Sequence, residues 1–131
     1  MKDDQKQKLT EAARDVRQRA HAPYSNFQVG AAVLTNTGEV FAGCNVENAS
    51  FGLTICAERV AFSTAVAAGR REFEGLAVVT VGGCFPCGAC RQFAAEFCED
   101  LLILLADADN ESQVVEVKLS DLLPGRFAFR S

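Results

Sequence analysis

Residues 76–105 read LAVVTVGGCFPCGACRQFAAEFCEDLLILL, and this stretch is the strongest indication of the fold. Its two ends, Leu76 to Val81 and Leu101 to Leu105, are short apolar runs typical of strands in the interior of a sheet. Between them Cys87 to Glu99 has helical character, and a loop with two glycines precedes it. The order strand, loop, helix and strand predicts an α/β fold.

Three further elements are predicted on the amino-terminal side. Residues 8–20 are rich in helix formers with apolar residues three and four apart, which indicates an amphipathic helix. The apolar runs 27–34 and 39–44 flank the turn signal TNTG and predict a hairpin. Residues 55–68 are rich in alanine and end at Gly69, as expected for a mostly buried helix.

On the carboxyl-terminal side, residues 113–117 predict a last strand and residues 119–123 a short helix that ends at Pro124. The full order is helix, two strands, helix, strand, helix, and two strands. It predicts a mixed sheet of about five strands with helices on both faces. Residues 1–131 are therefore expected to form a single domain.

The composition excludes several classes of protein. With 49% hydrophobic and 23% charged residues, the chain has enough apolar material for one packed core. The formal net charge of −4 provides no general attraction to nucleic acid or to anionic lipid. The charged start MKDDQKQKLT and the lack of a long apolar segment lead us to expect a cytoplasmic protein.

Three of the six cysteines lie where helices are predicted to begin, namely Cys56, Cys87 and Cys90. A helix amino terminus favours thiolate over thiol, and three thiolates are the number of protein ligands in a catalytic zinc site. Glu58 follows Cys56 by two residues, close enough to handle the protons of a bound water. The pairing of C-A-E with P-C-G-A-C fits the pattern of zinc-dependent deaminases, with cysteine in place of the first histidine.

Other interpretations of the cysteines exist. A single C-x-x-C can be a redox pair, half of a structural zinc site or two packed thiols. A redox pair would not account for Cys56 and Glu58, and a structural site would need a second spaced pair. Cys44, Cys84 and Cys98 are expected to be core or loop thiols, although Cys84 is close enough to Cys87 to be a spare ligand.

Five blocks resemble the small cytidine deaminases in sequence and in order: PYSNFQVGAA, GCNVENAS, ICAER, PCGACRQ and DLLPG. The resemblance covers residues 22–125. It implies a three-layer αβα sandwich, free nucleoside substrates and a homotetramer whose active sites are shared between subunits.

The resemblance also implies a mechanism. Cys56, Cys87 and Cys90 would hold one Zn²⁺ per chain, which lowers the pKa of its water to provide hydroxide at neutral pH. Glu58 would take up the proton of that water, protonate N3 of the base while C4 is attacked, and then protonate the leaving amino group. Cytidine and 2′-deoxycytidine would become uridine and 2′-deoxyuridine with release of ammonia, a reaction of pyrimidine salvage.

Three thiolates on one Zn²⁺ give a net charge of −1, which should weaken the metal as a Lewis acid. A neighbouring cation is therefore expected. Arg59 and Arg91 are both candidates, and the resemblance favours Arg59 as the donor to a thiolate sulfur. A solvated surface position is an equally good interpretation of Arg91.

The resemblance assigns substrate contacts as well. Asn45 and Glu47 would bind the ribose 3′-hydroxyl, and their spacing of two would let them face the same way in an extended segment. Phe27 would stack on the pyrimidine, with core packing as its alternative role, and Phe127 would come from a neighbouring subunit. Phe51 departs from the tyrosine that many members carry.

Three alternative functions remain open. A deaminase of the same fold could act on another aminopyrimidine such as blasticidin S, although the NVEN block at residues 45–48 favours a nucleoside. A non-catalytic zinc or thiol-redox module would leave Glu58 without a role. Editing of nucleic acid is disfavoured by the net charge and by the absence of clustered basic residues.

Overall fold

The computed structural model describes residues 1–129 and contains one five-stranded sheet and four α-helices. The predicted domain spans residues 1–131, and its last two residues lie outside this described part. The strands are β1 Gly30–Thr35, β2 Val40–Cys44, β3 Phe73–Thr80, β4 Leu102–Asp107 and β5 Asn110–Lys118. The helices are α1 Asp3–Arg17, α2 Ala57–Ala67, α3 Gly88–Ala95 and α4 Leu119–Leu122.

The sheet is mixed and has the order β2-β1-β3-β4-β5. β3 and β4 are parallel neighbours joined through α3, whereas the other neighbouring pairs are antiparallel. The predicted α/β class and the mixed sheet of about five strands are confirmed. β5 lies at an edge of the sheet, and most of its residues are exposed. β1 and β4 lie inside the sheet, and most of their residues are buried.

Helices cover both faces of the sheet, giving the predicted αβα layers. On one face, α2, α3 and α4 pack over a cluster that includes Ala61, Phe62 and Leu119. The ring of Phe62 lies 5.0 Å from that of Phe73 and 6.0 Å from that of Phe97, so aromatic side chains fill much of this layer. On the other face, α1 packs through Leu9 and Ala13 over a second cluster.

Two helices differ in length from the prediction. α1 begins at Asp3 rather than at residue 8, because two aspartates in its first turn favour the positive end of the helix dipole. The side chain of Gln5 also accepts a hydrogen bond from the amide of Lys2 at 2.9 Å. Apolar spacing does not reveal such polar stabilisation. α3 ends at Ala95 rather than Glu99.

The first strand begins at Gly30, three residues later than predicted. The preceding backbone is bound by a side chain instead of a neighbouring strand, since Asn45 accepts from the Val29 amide at 2.9 Å and donates to the Phe27 carbonyl at 2.8 Å. Phe27 is consequently part of a loop rather than of the strand.

α2 lies unusually close to β2. A Cβ atom at Gly43 would be 2.9 Å from the carbonyl oxygen of Ala57 and closer still to the amide of Ala61. Only glycine allows the helix backbone to approach the strand in this way. This contact fixes the depth at which the first turn of α2 lies against the sheet.

Across residues 1–129, the helices are all too short or too polar to cross a membrane.

Candidate metal centre and active site

Three thiols converge where α2 and α3 begin. Cys56 is the residue before α2, Cys87 is the residue before α3, and Cys90 lies in the first turn of α3. The Sγ atoms of Cys56 and Cys87 are 3.9 Å apart, and those of Cys87 and Cys90 are 3.4 Å apart. All three lie within 4.8 Å of one another, as the motif spacing predicted.

This cluster fits a zinc ion. Zn–S bonds of about 2.3 Å in a tetrahedral site place the sulfur atoms about 3.8 Å apart, close to the separations found here. Contact with the Cys90 thiol and with Arg59 lowers the pKa of Cys56 to about 5, against the opposing effect of burial. The nearby Cys56 thiolate and burial raise the pKa of Cys90. One thiolate is thus stable without metal, whereas three adjacent thiolates require a cation.

Glu58 is a buried carboxyl group beside the thiols. It lies in the first turn of α2, is 5% exposed, and lines a cavity of about 220 Å³ together with Cys56 and Cys87. Burial raises the pKa of Glu58, and the negative charge of Cys56 raises it further. A carboxyl group with a raised pKa can both accept and return a proton near neutral pH.

Arg59 is the cation at the thiol cluster. Its Nη2 donates to Cys56 Sγ at 3.6 Å and to the Thr54 carbonyl at 3.3 Å. The Cys56 thiolate in turn raises the pKa of Arg59. Its Nε is buried and has no hydrogen-bond partner within residues 1–129, so the side chain bears a desolvation cost that the thiolate offsets.

None of the hydrogen bonds that Arg91 makes within residues 1–129 reaches a thiol. Its Nε donates to the Pro86 carbonyl at 2.8 Å and its Nη1 to the Leu122 carbonyl at 2.9 Å. The guanidinium therefore connects the loop before Cys87 to the end of α4. Neither charge compensation nor a solvated surface position, the two interpretations from the sequence, describes this half-buried link.

The cavity beside the thiols has mostly apolar walls. Phe27 is 39% exposed and contributes one wall, so its ring is available to a ligand rather than enclosed in the core. Asn45 is buried and also lines the cavity, with its carboxamide fixed by the backbone on both sides of Gln28. The remaining lining residues are Val29, Thr54, Ala57, Val78, Thr80, Cys84 and Phe85.

Glu47 lies in a second cavity, of about 410 Å³, lined also by Tyr24, Ser25, Phe51 and Thr54. Thr54 contributes to both cavities, so they adjoin. One oxygen of Glu47 accepts from the amides of Tyr24 and Ser25 at 2.9 and 3.2 Å, and the other accepts from the Ser25 hydroxyl. These hydrogen bonds, chiefly that of the hydroxyl, lower the pKa of Glu47.

Phe127 lines neither of these two cavities of its own chain. Its ring is 72% exposed, and its carbonyl accepts from Gln92 Nε2 at 3.1 Å. Phe51 is 74% exposed and packs edge-on against Tyr24, with 5.9 Å between the ring centroids. Large exposed aromatic rings are typical of surfaces that another molecule covers.

The other cysteines occupy the core or loops, as expected. Cys98 is buried and Cys44 is half-buried, whereas Cys84 is in an exposed loop. Cys84 lines the first cavity, but its thiol donates to the Val81 carbonyl and it is not part of the three-thiol cluster. The sequence did not identify Thr54, Phe85 or Ser25 as site residues. For Ser25, its position in the block PYSNF, two residues before Phe27, was the available indication.

A family model describes the same features. The model of the cytidine and deoxycytidylate deaminase zinc-binding region matches residues 3–106. The cytidine deaminase of Halalkalibacterium halodurans is 47% identical over 125 residues, covering 93% of each chain. The probable cytidine deaminase of Dictyostelium discoideum is 44% identical over 131 residues, covering 98% of this chain and 87% of that protein.

Solved structures agree in fold. The crystal structure of cytidine deaminase from Burkholderia pseudomallei is 48% identical and superposes with a TM-score of 0.88. The aligned region covers 97% of this chain and 100% of the Burkholderia pseudomallei chain. The blasticidin-S deaminase of Bacillus cereus is more distant, at 27% identity over 79% of this chain.

Proposed function

The chain belongs to the cytidine and deoxycytidylate deaminase family, and on this premise we propose that it hydrolyses free cytidine and 2′-deoxycytidine to uridine and 2′-deoxyuridine. Water supplies the oxygen that bonds to C4, the C4–N4 bond breaks, and ammonia leaves. The observation that carries this proposal is the buried carboxyl group of Glu58 in one cavity with the thiols.

Zinc is the cofactor, and Cys56, Cys87 and Cys90 would hold one ion per chain. When bound, it supplies a water of lowered pKa and hence a nucleophile at neutral pH. Arg59 would offset the negative charge of the thiolates through its contact with Cys56.

Glu58 is the proposed proton carrier. Burial raises its pKa, which favours its taking up a proton and delivering that proton to N3 of the base. It then delivers a proton to the amino group, without which ammonia could not leave as a neutral molecule.

The other cavity residues would orient the nucleoside. Phe27 offers an exposed face on which the pyrimidine can stack, while Asn45 fixes the backbone of that residue. Glu47, in the adjoining cavity, would accept from the ribose 3′-hydroxyl. An analogue that lacks the hydroxyl loses this charge-assisted hydrogen bond, so 3′-deoxycytidine should be a poor substrate.

We further propose a homotetramer that completes each site with Phe127 of a neighbouring subunit, and a role in pyrimidine salvage. The exposed rings of Phe51 and Phe127 support an interface at this surface. A cytoplasmic location is consistent with six free cysteines among the described residues, because the cytoplasm keeps thiols reduced.

The test is the ultraviolet loss of cytidine with purified protein of measured zinc content, run beside Glu58→Gln. We expect the variant to keep its zinc and to lose turnover by about 10²–10⁴-fold or more, the usual contribution of a general acid–base. Glu74→Gln is the matched control, since Glu74 is exposed on β3 and should retain full activity.

Parallel assays with cytosine and blasticidin S test the alternative substrate. Turnover of blasticidin S without turnover of cytidine would overturn the nucleoside assignment. Equal activity of Glu58→Gln and the unaltered protein would instead remove Glu58 from the mechanism.

A further inference from the structure

In the loop between α1 and β1, the hydroxyl of Ser25 contacts both groups that are proposed to orient the substrate, Glu47 and Phe27. Asn26 in this loop has a left-handed backbone, with φ of 58°, and its amide donates to the Ala22 carbonyl at 3.0 Å. This tight turn places Ser25 between Glu47 and Phe27. Asparagine tolerates the left-handed region better than most residues.

The directions of the two hydrogen bonds follow from their partners. Glu47 is an acceptor when ionised, so the Ser25 hydroxyl must donate its one proton to the Glu47 carboxylate. The same oxygen then accepts from the Phe27 amide, at 3.0 Å. One side chain thereby links the sugar-binding carboxylate to the backbone of the aromatic residue.

This arrangement leaves limited capacity on the carboxylate. An ionised carboxylate has about four acceptor positions, and the amides of Tyr24 and Ser25 together with the Ser25 hydroxyl use three. The open position is on the oxygen that the hydroxyl also contacts. A ribose hydroxyl could bind there with the carboxylate already held in one orientation.

Phe27 is held from both sides of its backbone. Its amide donates to Ser25, and its carbonyl accepts from Asn45 at 2.8 Å. Asn45 is buried and anchors the loop to the core. Ser25 is exposed and links the loop to Glu47 through its hydroxyl.

We propose that Ser25 is a positioning residue that fixes, through one hydroxyl, the relative placement of the base-stacking Phe27 and the sugar-binding Glu47. The proposal rests on the proposed function, since it concerns recognition of a nucleoside. Because the hydrogen bond from Ser25 to Glu47 joins two protein groups, its loss affects affinity only through the orientation of Glu47 and Phe27, and we expect an effect of about tenfold.

The test compares steady-state kinetics of Ser25→Ala with cytidine and with 3′-deoxycytidine. We expect kcat/KM for cytidine to fall by about tenfold, mainly through KM, because Glu47 would keep only its two amide contacts and hold the 3′-hydroxyl in a less fixed orientation. With 3′-deoxycytidine the fall should be smaller, since that substrate cannot use Glu47 and responds only to the change at Phe27. Zinc content and the thermal unfolding midpoint should not change, because Ser25 is exposed and distant in sequence from the thiols.

Two further variants sharpen the result. Ser25→Thr keeps the hydroxyl and should restore cytidine kinetics close to those of the unaltered protein. Ser50→Ala is the matched control, because the Ser50 side chain makes no capping hydrogen bond in its loop, and its kinetics should not change.

An equal loss with both substrates, or no loss with cytidine, would overturn the positioning role. Failure of the proposed function is distinguishable, because the unaltered zinc-loaded protein would then not turn over cytidine at all, and the Ser25 proposal would fall with it.

Discussion

Cys56 differs from the other thiols because two neighbours favour its anionic form. Its position before α2 exposes it to free backbone amides, and both the Cys90 thiol and the Arg59 guanidinium lower its pKa to about 5. Its pKa is therefore below the usual 9.0 even in the absence of metal. The metal-free centre is already prepared for a cation, since one ligand is ionised at neutral pH.

This property can be measured with zinc-free protein. Alkylation of Cys56 by iodoacetamide, followed by peptide mass spectrometry, should increase as the pH rises through about 5. In Arg59→Ala the midpoint should move to higher pH, and zinc should bind more weakly, because the thiolate loses a donor. Cys98 is the internal control, since burial raises its pKa to about 11 and leaves it unreactive below that pH.

The same shift has a defined effect on stability. A thiol whose folded pKa is lower than its unfolded pKa stabilises the fold fully above the unfolded value of 9.0. That contribution is lost as the pH falls through about 5. In the alkylation experiment, a midpoint near pH 9.0 for Cys56 in the unaltered zinc-free protein would contradict this account. An unchanged midpoint in Arg59→Ala would contradict it as well.

At the scale of the elements, the centre depends on how closely α2 packs on β2. Cys56, Glu58 and Arg59 all lie at the start of α2, so any shift of this helix moves the proposed metal ligand, proton carrier and compensating charge together. Gly43 on β2 permits the close contact.

Substitution of Gly43 by alanine tests this dependence. The added methyl group would meet the backbone of Ala57 and Ala61, which cannot move aside as a side chain could. We expect Gly43→Ala to lose about 1–3 kcal/mol of unfolding free energy or more, and to retain less than one zinc per chain. Urea unfolding and metal analysis measure the two effects.

Gly52→Ala serves as the control for that substitution. A Cβ at Gly52 has no neighbour within 4 Å, so the variant should match the unaltered protein in stability and zinc content. Similar stability of Gly43→Ala and Gly52→Ala would show that the helix can retreat without cost.

On the scale of the whole molecule, the carboxyl-terminal segment carries aromatic rings outward. Arg126 donates to the carbonyls of Cys98 and Glu99, and Gln92 donates to that of Phe127. These hydrogen bonds to backbone carbonyls hold the segment against its own chain, while the rings of Phe127 and Phe129 remain exposed. This arrangement favours delivery of Phe127 to a neighbouring subunit.

Mixed oligomers can test that delivery. Phe127→Ala alone should lose up to about tenfold in kcat/KM, as expected for one aromatic contact, and Glu58→Gln alone should be inactive. When the two variants are co-expressed with different tags and purified through both, activity should exceed the sum of the parents. A site with its own Glu58 and a neighbour's Phe127 would then have formed.

No recovery would show that Phe127 acts within its own chain or not at all. Light scattering of the unaltered protein should give four chains per particle, and a monomer would exclude a shared site.

The metal centre was predictable from the sequence because its determinants are local. Cys56, Glu58, Cys87 and Cys90 each lie within a few residues of a helix start, so their spacing, together with the family resemblance, predicted a shared site that is exposed to free amides. The order of apolar runs likewise predicted the layers and the mixed sheet, since each run needs a face to bury.

Only the tertiary structure decided which polar groups meet across the chain. Proximity to the motif made both Arg59 and Arg91 candidates, and only the resemblance favoured Arg59, whereas the fold directs Arg59 to Cys56 and Arg91 to the Pro86 and Leu122 carbonyls. It also connects Ser25 to Glu47, 22 residues away. Such hydrogen bonds depend on where folded segments cross, and no periodicity along the chain encodes that geometry.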